Sequence, residues 1–284
     1  MSPYTLPDGN VRINFSGGRT SAFMLHEILV VNGDLPDRVE VVFANTGREM
    51  PETLDFVNEC SVRWRVPVTW LEYRVIDKKA SFEIVNHNSA SRNGEPFDAL
   101  ILHQRRLPSP YQRFCTKELK VKTMRRYATS KKWKKWTTAI GIRADENRRA
   151  IVKEDSKETC WYPLNDAGVS VGDIMEFWGK QSTAFNFDLR VTKGFGNCDG
   201  CFLKSEQNLS VLWKMHPDRA EWWAKKEQLI FPGKEHKAHF QRFRGQVDRM
   251  ASYEDIGRFV NSQGDWIFDD EDFLCQANFG ECTG

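Results

Sequence analysis

At 284 residues, 40% hydrophobic and 28% charged, the chain is long enough for one large α/β domain or for a domain with a sizeable appendage. Mean hydropathy is −0.57, and no apolar stretch approaches the ~20 residues needed to cross a bilayer as a helix, so no membrane partner is expected. The net charge of +2 hides an uneven distribution: residues 101–150 carry fifteen Lys and Arg against Glu118, Asp145 and Glu146, while the last twenty residues carry six acidic residues and no Lys or Arg. Such a basic block points either to a polyanionic partner, a nucleotide or a nucleic acid, or to a solvated basic helix face. Met1-Ser2-Pro3-Tyr4 has neither a basic n-region nor an apolar h-region, so a cytoplasmic location is expected. The seven cysteines then read as metal ligands, reactive thiols or buried thiols rather than a disulfide framework.

In chain order, β-rich runs occur at 11–15, 39–44, 66–71 and 136–141, with helical patterns at 20–31, 51–64 and 116–130 between them. Pro51-Glu52 places proline and acid where a helix start favours both. This alternation predicts an α/β fold, a parallel sheet covered by helices, with ligands at the carboxyl ends of the strands. Residues 86–115 interrupt the scheme with a polar stretch followed by Pro108 and Pro110, and read either as a mobile active-site cover or as a plain surface loop. After residue 150 the pattern becomes mostly helical, with Trp213, Trp222 and Trp223 spaced to pack on the first half. The expected units are a domain over 1–205, a helical extension over 206–264 and an acidic tail over 265–284.

The first functional motif is Ser16-Gly17-Gly18-Arg19-Thr20-Ser21, between a strand and a helix. Paired glycines let backbone N–H groups converge, and the helix N-terminus and hydroxyls favour an anion, so the turn suits a phosphate; the alternative is an ordinary connector. At later strand ends stand Asn45, Thr46 and Gly47, where a base or ribose could approach the backbone, and Gly141, Arg143 and Arg149. Arg113, Arg143 and Arg149 can fork onto phosphate or sulfate oxygens, with Lys117 and Lys120 adding charge one helical turn apart; each arginine could equally form a surface ion pair.

Cys198-Asp199-Gly200-Cys201 is the second motif, a C-x-x-C in a glycine turn, open between zinc, iron–sulfur and a redox dithiol. Cys60 lies in a helical pattern and reads as core, and Cys275 and Cys282 in the acidic tail read as non-ligands. His26 reads as an ordinary helix residue and His216, before Pro217, as structural. Lys131-Lys132-Trp133-Lys134-Lys135-Trp136 could grip single-stranded nucleic acid or simply lead a basic helix end into a buried strand.

Four segments in order resemble the phosphoadenosine phosphosulfate (PAPS) reductase family of the adenine-nucleotide α-hydrolase, or PP-loop, superfamily. They are Ser16–Ser21, Asn45-Thr46-Gly47-Arg48-Glu49-Met50-Pro51-Glu52-Thr53, Arg113-Phe114-Cys115-Thr116-Lys117-Glu118-Leu119-Lys120, and Gly141-Ile142-Arg143-Ala144-Asp145-Glu146-Asn147-Arg148-Arg149. The resemblance spans roughly residues 10–205. It implies an enzyme that binds an adenine nucleotide and performs sulfur chemistry: reduction of a sulfonucleotide, or ATP-dependent transfer of sulfur to a nucleic acid. It also implies a cysteine-bound iron–sulfur cluster of the 4Fe-4S type, with Cys115, Cys198 and Cys201 as ligands, Cys160 as the candidate fourth, and zinc as the alternative. Thr20 stands where ATP-cleaving members carry an aspartate that helps organise Mg²⁺, so the nucleotide stays open between ATP with Mg²⁺ and PAPS or adenylylsulfate. The terminal Glu281-Cys282 only partly resembles the reductases' catalytic Glu-Cys-Gly-x-His motif and reads as fortuitous. A homo-oligomer is compatible with the resemblance. The rival reading is a catalytically inactive nucleotide- or nucleic-acid-binding module with a structural zinc.

Overall fold

The computed structural model describes residues 2–150, 157–181, 196–234, 236–240 and 251–263. Six strands form one sheet in the order β4-β3-β2-β1-β5-β6. They are β1 (Asn10–Asn14), β2 (Val39–Asn45), β3 (Val68–Ile76), β4 (Lys79–Val85), β5 (Trp136–Ala139) and β6 (Glu158–Trp161). All pairs are parallel except β3 with β4. The expected parallel α/β sheet is therefore present, with one antiparallel edge strand beyond what the sequence suggested.

The register follows from which side chains can be buried. Val68, Val41, Ile13, Ala139 and Trp161 pair in a row across the sheet. That row faces α1 (Arg19–Asn32), α2 (Pro51–Arg63) and α6 (Val171–Gln181), joining Leu25, Ile28, Leu54, Val57 and Trp178 in one core. Cys60 belongs to this core, as expected, and burial pushes its thiol pKa up. On the other face Val42, Ala44 and Leu71 meet Met124 and Tyr127 of α4 (Thr123–Ser130). The helical pattern at 116–130 is real, but its first half, Thr116–Lys122, is wound as a π-helix that runs into α4. Wide turns of this kind are frequent at functional sites.

Two departures have local causes. β3 continues past Leu71 into a hairpin through Asp77 and Lys78, whose φ values of 49° and 61° fit a tight two-residue turn. No glycine marks that turn, so β4 was not visible in the sequence. Within 86–115, Gly94 (φ 95°) and Pro96 start a ten-residue helix, α3 (Glu95–Gln104), with Phe97, Leu100 and Ile101 buried. A cover or surface loop is thus corrected to a packed helix over that part.

The C-terminal half supplies α5 (Pro163–Asp166), α7 (Glu206–Met215), α8 (Pro217–Glu227) and α9 (Tyr253–Ser262). Ser205 caps α7, and a Ser252–Asp255 capping box starts α9. These helices share a second core with α3: Phe97, Leu209, Leu212, Trp223, Phe240 and Tyr253 pack together. The acidic tail over 265–284, including Cys275 and Cys282, lies outside the described residues.

Candidate functional site

The chain leaves β1 towards β2 and leaves β5 towards β6, so a crevice opens between the carboxyl ends of β1 and β5, where α/β sheets bind ligands. The Ser16–Ser21 turn sits there. Gly17 has φ +79°, and a Cβ on it would lie 2.9 Å from Thr53 Cγ2, 3.1 Å from Val57 Cγ2 and 3.2 Å from Phe43 Cε2. That close approach is to α2 and β2, so the glycine seats the turn against the core. Ser21 Oγ accepts from Ser16 N (3.1 Å), lies 2.9 Å from Ser16 Oγ and donates to Gly18 O (3.0 Å), so the turn is laced to itself. Arg19 turns away, its guanidinium 3.3 Å from Met175 Sδ, while its carbonyl accepts from Trp178 Nε1.

From the β5 side, Gly141 lies against the first turn of α1: a Cβ there would be 3.3 Å from Ser21 Cα. Arg143, nearly buried, then reaches back over the turn and donates from Nη1 to Thr20 Oγ1 at 3.4 Å. Its Nε donates to Asp145 at 2.9 Å and its Nη1 is 3.3 Å from Glu146, which Arg149 also contacts. Arg143 and Arg149 are thus poised beside the crevice on carboxylates rather than on solvent. Lys117 is exposed while Lys120 is buried, so the two do not present to one anion.

At the end of β2, Asn45 is fully buried: its amide donates to Glu72 (2.6 Å) and Ser91 O (2.8 Å), and its Oδ1 accepts from Gly47 N (3.0 Å). Gly47 (φ +77°) faces the start of α3, with a Cβ falling 2.9 Å from Pro96 Cδ and 3.1 Å from Gly94. Both residues are thus engaged in hydrogen bonding and packing at the strand end where a base or ribose is expected to approach. Thr46 differs. Its hydroxyl donates to Glu49 (2.8 Å) and lies 3.4 Å from Cys198 Sγ.

The C-x-x-C turn is therefore fixed to the β2–α2 connection. Glu49 and Cys198 form an antiparallel bridge, and Asp199 N donates to Arg48 O. Asp199 is fully buried and accepts from Arg48 Nη2 (2.6 Å), Arg219 Nε (2.5 Å), Trp223 Nε1 (2.8 Å) and Gly200 N (2.7 Å). Arg48 also stacks on Trp222 at 4.7 Å. Neither Arg48 nor Asp199 was singled out from the sequence, because 151 residues separate them. The only local hint was that both lie inside motifs read for their neighbours.

Cys115, Cys198 and Cys201 line one cavity of about 30 Å³, together with Thr46, Arg113 and Lys120. Cys160 is not brought to them. It sits on β6 opposite Thr138, bonded to Tyr162, three strand spacings or roughly 14 Å from β2. Burial foremost, then the Glu49 charge, pushes the Cys198 thiol up to about 12, with Lys120 and Thr46 opposing. Three thiols suit a thiophilic metal, zinc or iron–sulfur, and the space matches one water-sized body. Among the described residues, however, no group of three or more His, Cys, Asp and Glu stands in ready metal-binding geometry. A single ion needs the thiols to draw together, and a multi-iron cluster needs the walls to move further.

The mostly parallel α/β sheet carries the serine–glycine turn, the segment that resembles the PP-loop class, at its switch point. A family model for the phosphoadenosine phosphosulfate reductase domain matches residues 10–164, more than half of the chain. The chain belongs to the PAPS reductase family. It is 29% identical over 208 residues to an uncharacterized nin region protein, ORF290, of Escherichia phage lambda, covering 71% of this chain and 69% of that protein. Among solved structures it is similar to a PAPS reductase from Candida auris in a phosphate complex, at 16% identity and a TM-score of 0.42, over 64% of this chain and 80% of the other. No helix among the described residues is long and apolar enough to cross a membrane.

Proposed function

We propose that this chain binds the phosphates of an adenine nucleotide in the β1–β5 crevice and performs sulfur chemistry beside them. The observation that carries the reading is the Arg143–Thr20 contact, which joins the two strand ends over the N-terminus of α1. Backbone N–H groups of that first turn and the Ser16 and Thr20 hydroxyls face the anion, and Arg143 transfers its fork from Asp145 and Glu146 to phosphate oxygens. The cysteine cavity touches Thr46 at the end of β2, one strand spacing or about 5 Å from β1. Cys115, Cys198 and Cys201 would hold a thiolate-ligated metal centre, iron–sulfur or zinc, which would supply a site for binding sulfur. The rest of the work is done by the chain: Lys120 and Arg113 supply positive charge at the cavity, and Thr46 and Glu49 fix the Cys198 sulfur.

The test is calorimetric titration with ATP, PAPS and adenylylsulfate on the wild type and on Arg143→Ala, with circular dichroism as the fold control. One lost charge-assisted contact should weaken binding roughly 10- to 150-fold. Failure of the wild type to bind any of the three, or unchanged binding by the variant, overturns the reading. Release of AMP and pyrophosphate marks ATP-dependent transfer, and release of sulfite marks reduction. The self-laced hydroxyls of the Ser16–Ser21 turn favour a second reading, a binding module without catalysis and with a structural zinc; binding without either product would establish it.

A further inference from the structure

The basic block seen in the sequence is not uniform once folded. On and around α4 it is neutralised: Lys122 and Arg126 pair with Glu118, Arg125 with Glu158, and Lys131 with Glu40. At the other end, after α3, it is not. There an open groove of about 490 Å³ is lined by Arg105, Arg106, Lys234, His236, Lys237 and His239, with no Asp or Glu among the described residues of its wall. Among the described residues only His239 has a carboxylate in reach, Glu227 at 3.4 Å behind it; Glu235, between Lys234 and His236 in the sequence, lies outside the described residues. Lys234 and His236 make no side-chain hydrogen bond or ion pair with any described residue.

The two arginines are held in place by groups that leave their charge uncancelled. Arg105 ends α3 in the left-handed region, φ 52°, and donates from Nη2 to Pro232 O at 2.7 Å. Arg106 donates to Gln112 Oε1 and lies over the Phe114 ring at 5.0 Å. Tyr111 stands at the same wall with half of its surface exposed.

We propose that this groove binds single-stranded nucleic acid, with phosphodiester oxygens on Arg105, Arg106, Lys234 and Lys237 and a base against Tyr111. Fixed guanidinium forks, the Lys234 ammonium, the Lys237 ammonium held only by the neutral Gln228 amide, and an adjacent aromatic face are the elements of single-strand recognition. The concavity has the size of a site for one small ligand, so it takes one base, with the flanking phosphodiesters on the cations around it. The turn that carries Leu107 and Gln112 into this wall also carries Arg113 and Cys115 into the cysteine cavity, so a strand seated here runs beside the thiols. The inference goes beyond the nucleotide site and does not depend on it.

Fluorescence anisotropy of the full chain with labelled 12-nucleotide single-stranded DNA and RNA tests it. Saturable binding of either is expected, weakening on the order of fifty-fold between 50 and 200 mM salt for four phosphate contacts. Lys234→Gln combined with Lys237→Gln should weaken binding about ten-fold and lower the log–log salt slope by about 1.4. Tyr111→Ala should cost roughly five-fold or more with the slope unchanged. Lys132→Gln with Lys134→Gln, outside the groove, and Arg143→Ala, in the nucleotide crevice, should bind as the wild type does. The proposal is overturned by absence of saturable binding at 50 mM salt, by equal loss in the Lys132/Lys134 variant, or by poly-glutamate competing as strongly as the oligonucleotide at equal charge.

Discussion

Arg12 and Glu158 show how a single pair can be settled by its surroundings. Both are buried, Arg12 on β1 and Glu158 on β6 with β5 between them, and Nη2 of Arg12 lies 2.6 Å from the carboxylate; Thr138 of β5 also donates to it at 2.6 Å, and Arg125 approaches from α4. Burial would raise the Glu158 pKa, but the Arg12 charge, the Thr138 hydroxyl and Arg125 outweigh it and hold the carboxyl below the ordinary glutamate range. A depressed folded-state pKa contributes stability that is present above the unfolded value near 4.3 and is lost as pH falls through the folded one. Glu158→Gln leaves Arg12 buried without its counter-charge, so a loss of about 3–5 kcal/mol is expected at pH 7 in urea unfolding. The gap between wild type and variant should narrow as pH is lowered from 5 towards 2; a gap that widens would refute the assignment. None of this was legible beforehand, because a charged residue inside an apolar strand reads as solvent-facing until its partner on a distant strand is known. Arg143 was legible for the opposite reason: it follows a glycine at a strand end, where local pattern alone fixes its place.

Elements decide which cysteines meet. Cys115 stands at the start of the π-helical segment Thr116–Lys122, and the C-x-x-C turn is bridged to the β2–α2 connection, so both face one cavity. Cys160 is committed to β6 by its pairing with Thr138. Cys115→Ser, Cys198→Ser and Cys201→Ser should each lose most of the bound metal measured by elemental analysis after anaerobic purification, while Cys160→Ser keeps it. Equal loss in all four would mean that β6 detaches to reach the site, and full retention in Cys115→Ser would leave the C-x-x-C turn as a local feature. Sequence spacing could name all four thiols but not rank them, since ligand geometry depends on strand order. Strand order in turn hides in crossovers: β1, β2 and β3 are neighbours in sequence order, whereas β5 returns to the other side of β1. β6, four residues long and carrying Glu158, gave no alternating pattern to read.

At the scale of the whole molecule the described residues form two large apolar cores, one under α1, α2 and α6 and one joining α3 with α7, α8 and α9, beside a smaller cluster between the sheet and α4. The second is not a separate body. Asp199 ties Arg48 of the β2–α2 connection to Arg219 and Trp223 of α8, Arg219 also donates to Glu49 O, and Tyr253 of α9 donates to Gly200 O. Removing one side would strand buried charge on the other. The chain over 1–263 should therefore unfold in one cooperative transition, with far-ultraviolet dichroism and tryptophan fluorescence coincident. Two separated transitions would show that the helical extension is thermodynamically independent. The tryptophan-rich spacing of 213–223 hinted at packing on the first half, but the contact is made through a buried aspartate that no periodicity marks.

Gly200, in the middle of the C-x-x-C turn, has no room for a side chain because the indole of Trp223 fills it, only 2.3 Å from where a Cβ would stand. The turn is thus moulded against a residue made after it. A ribosome adding 5–20 residues per second needs on the order of 5–20 s to go from Cys115 to Trp223. For that interval the emerging chain already owns its serine–glycine turn and one thiol, yet has nothing against which to shape the other two. If the three thiols hold the proposed metal centre, its loading is in this way deferred until α8 has been synthesised, and a nascent chain stalled before it should carry none.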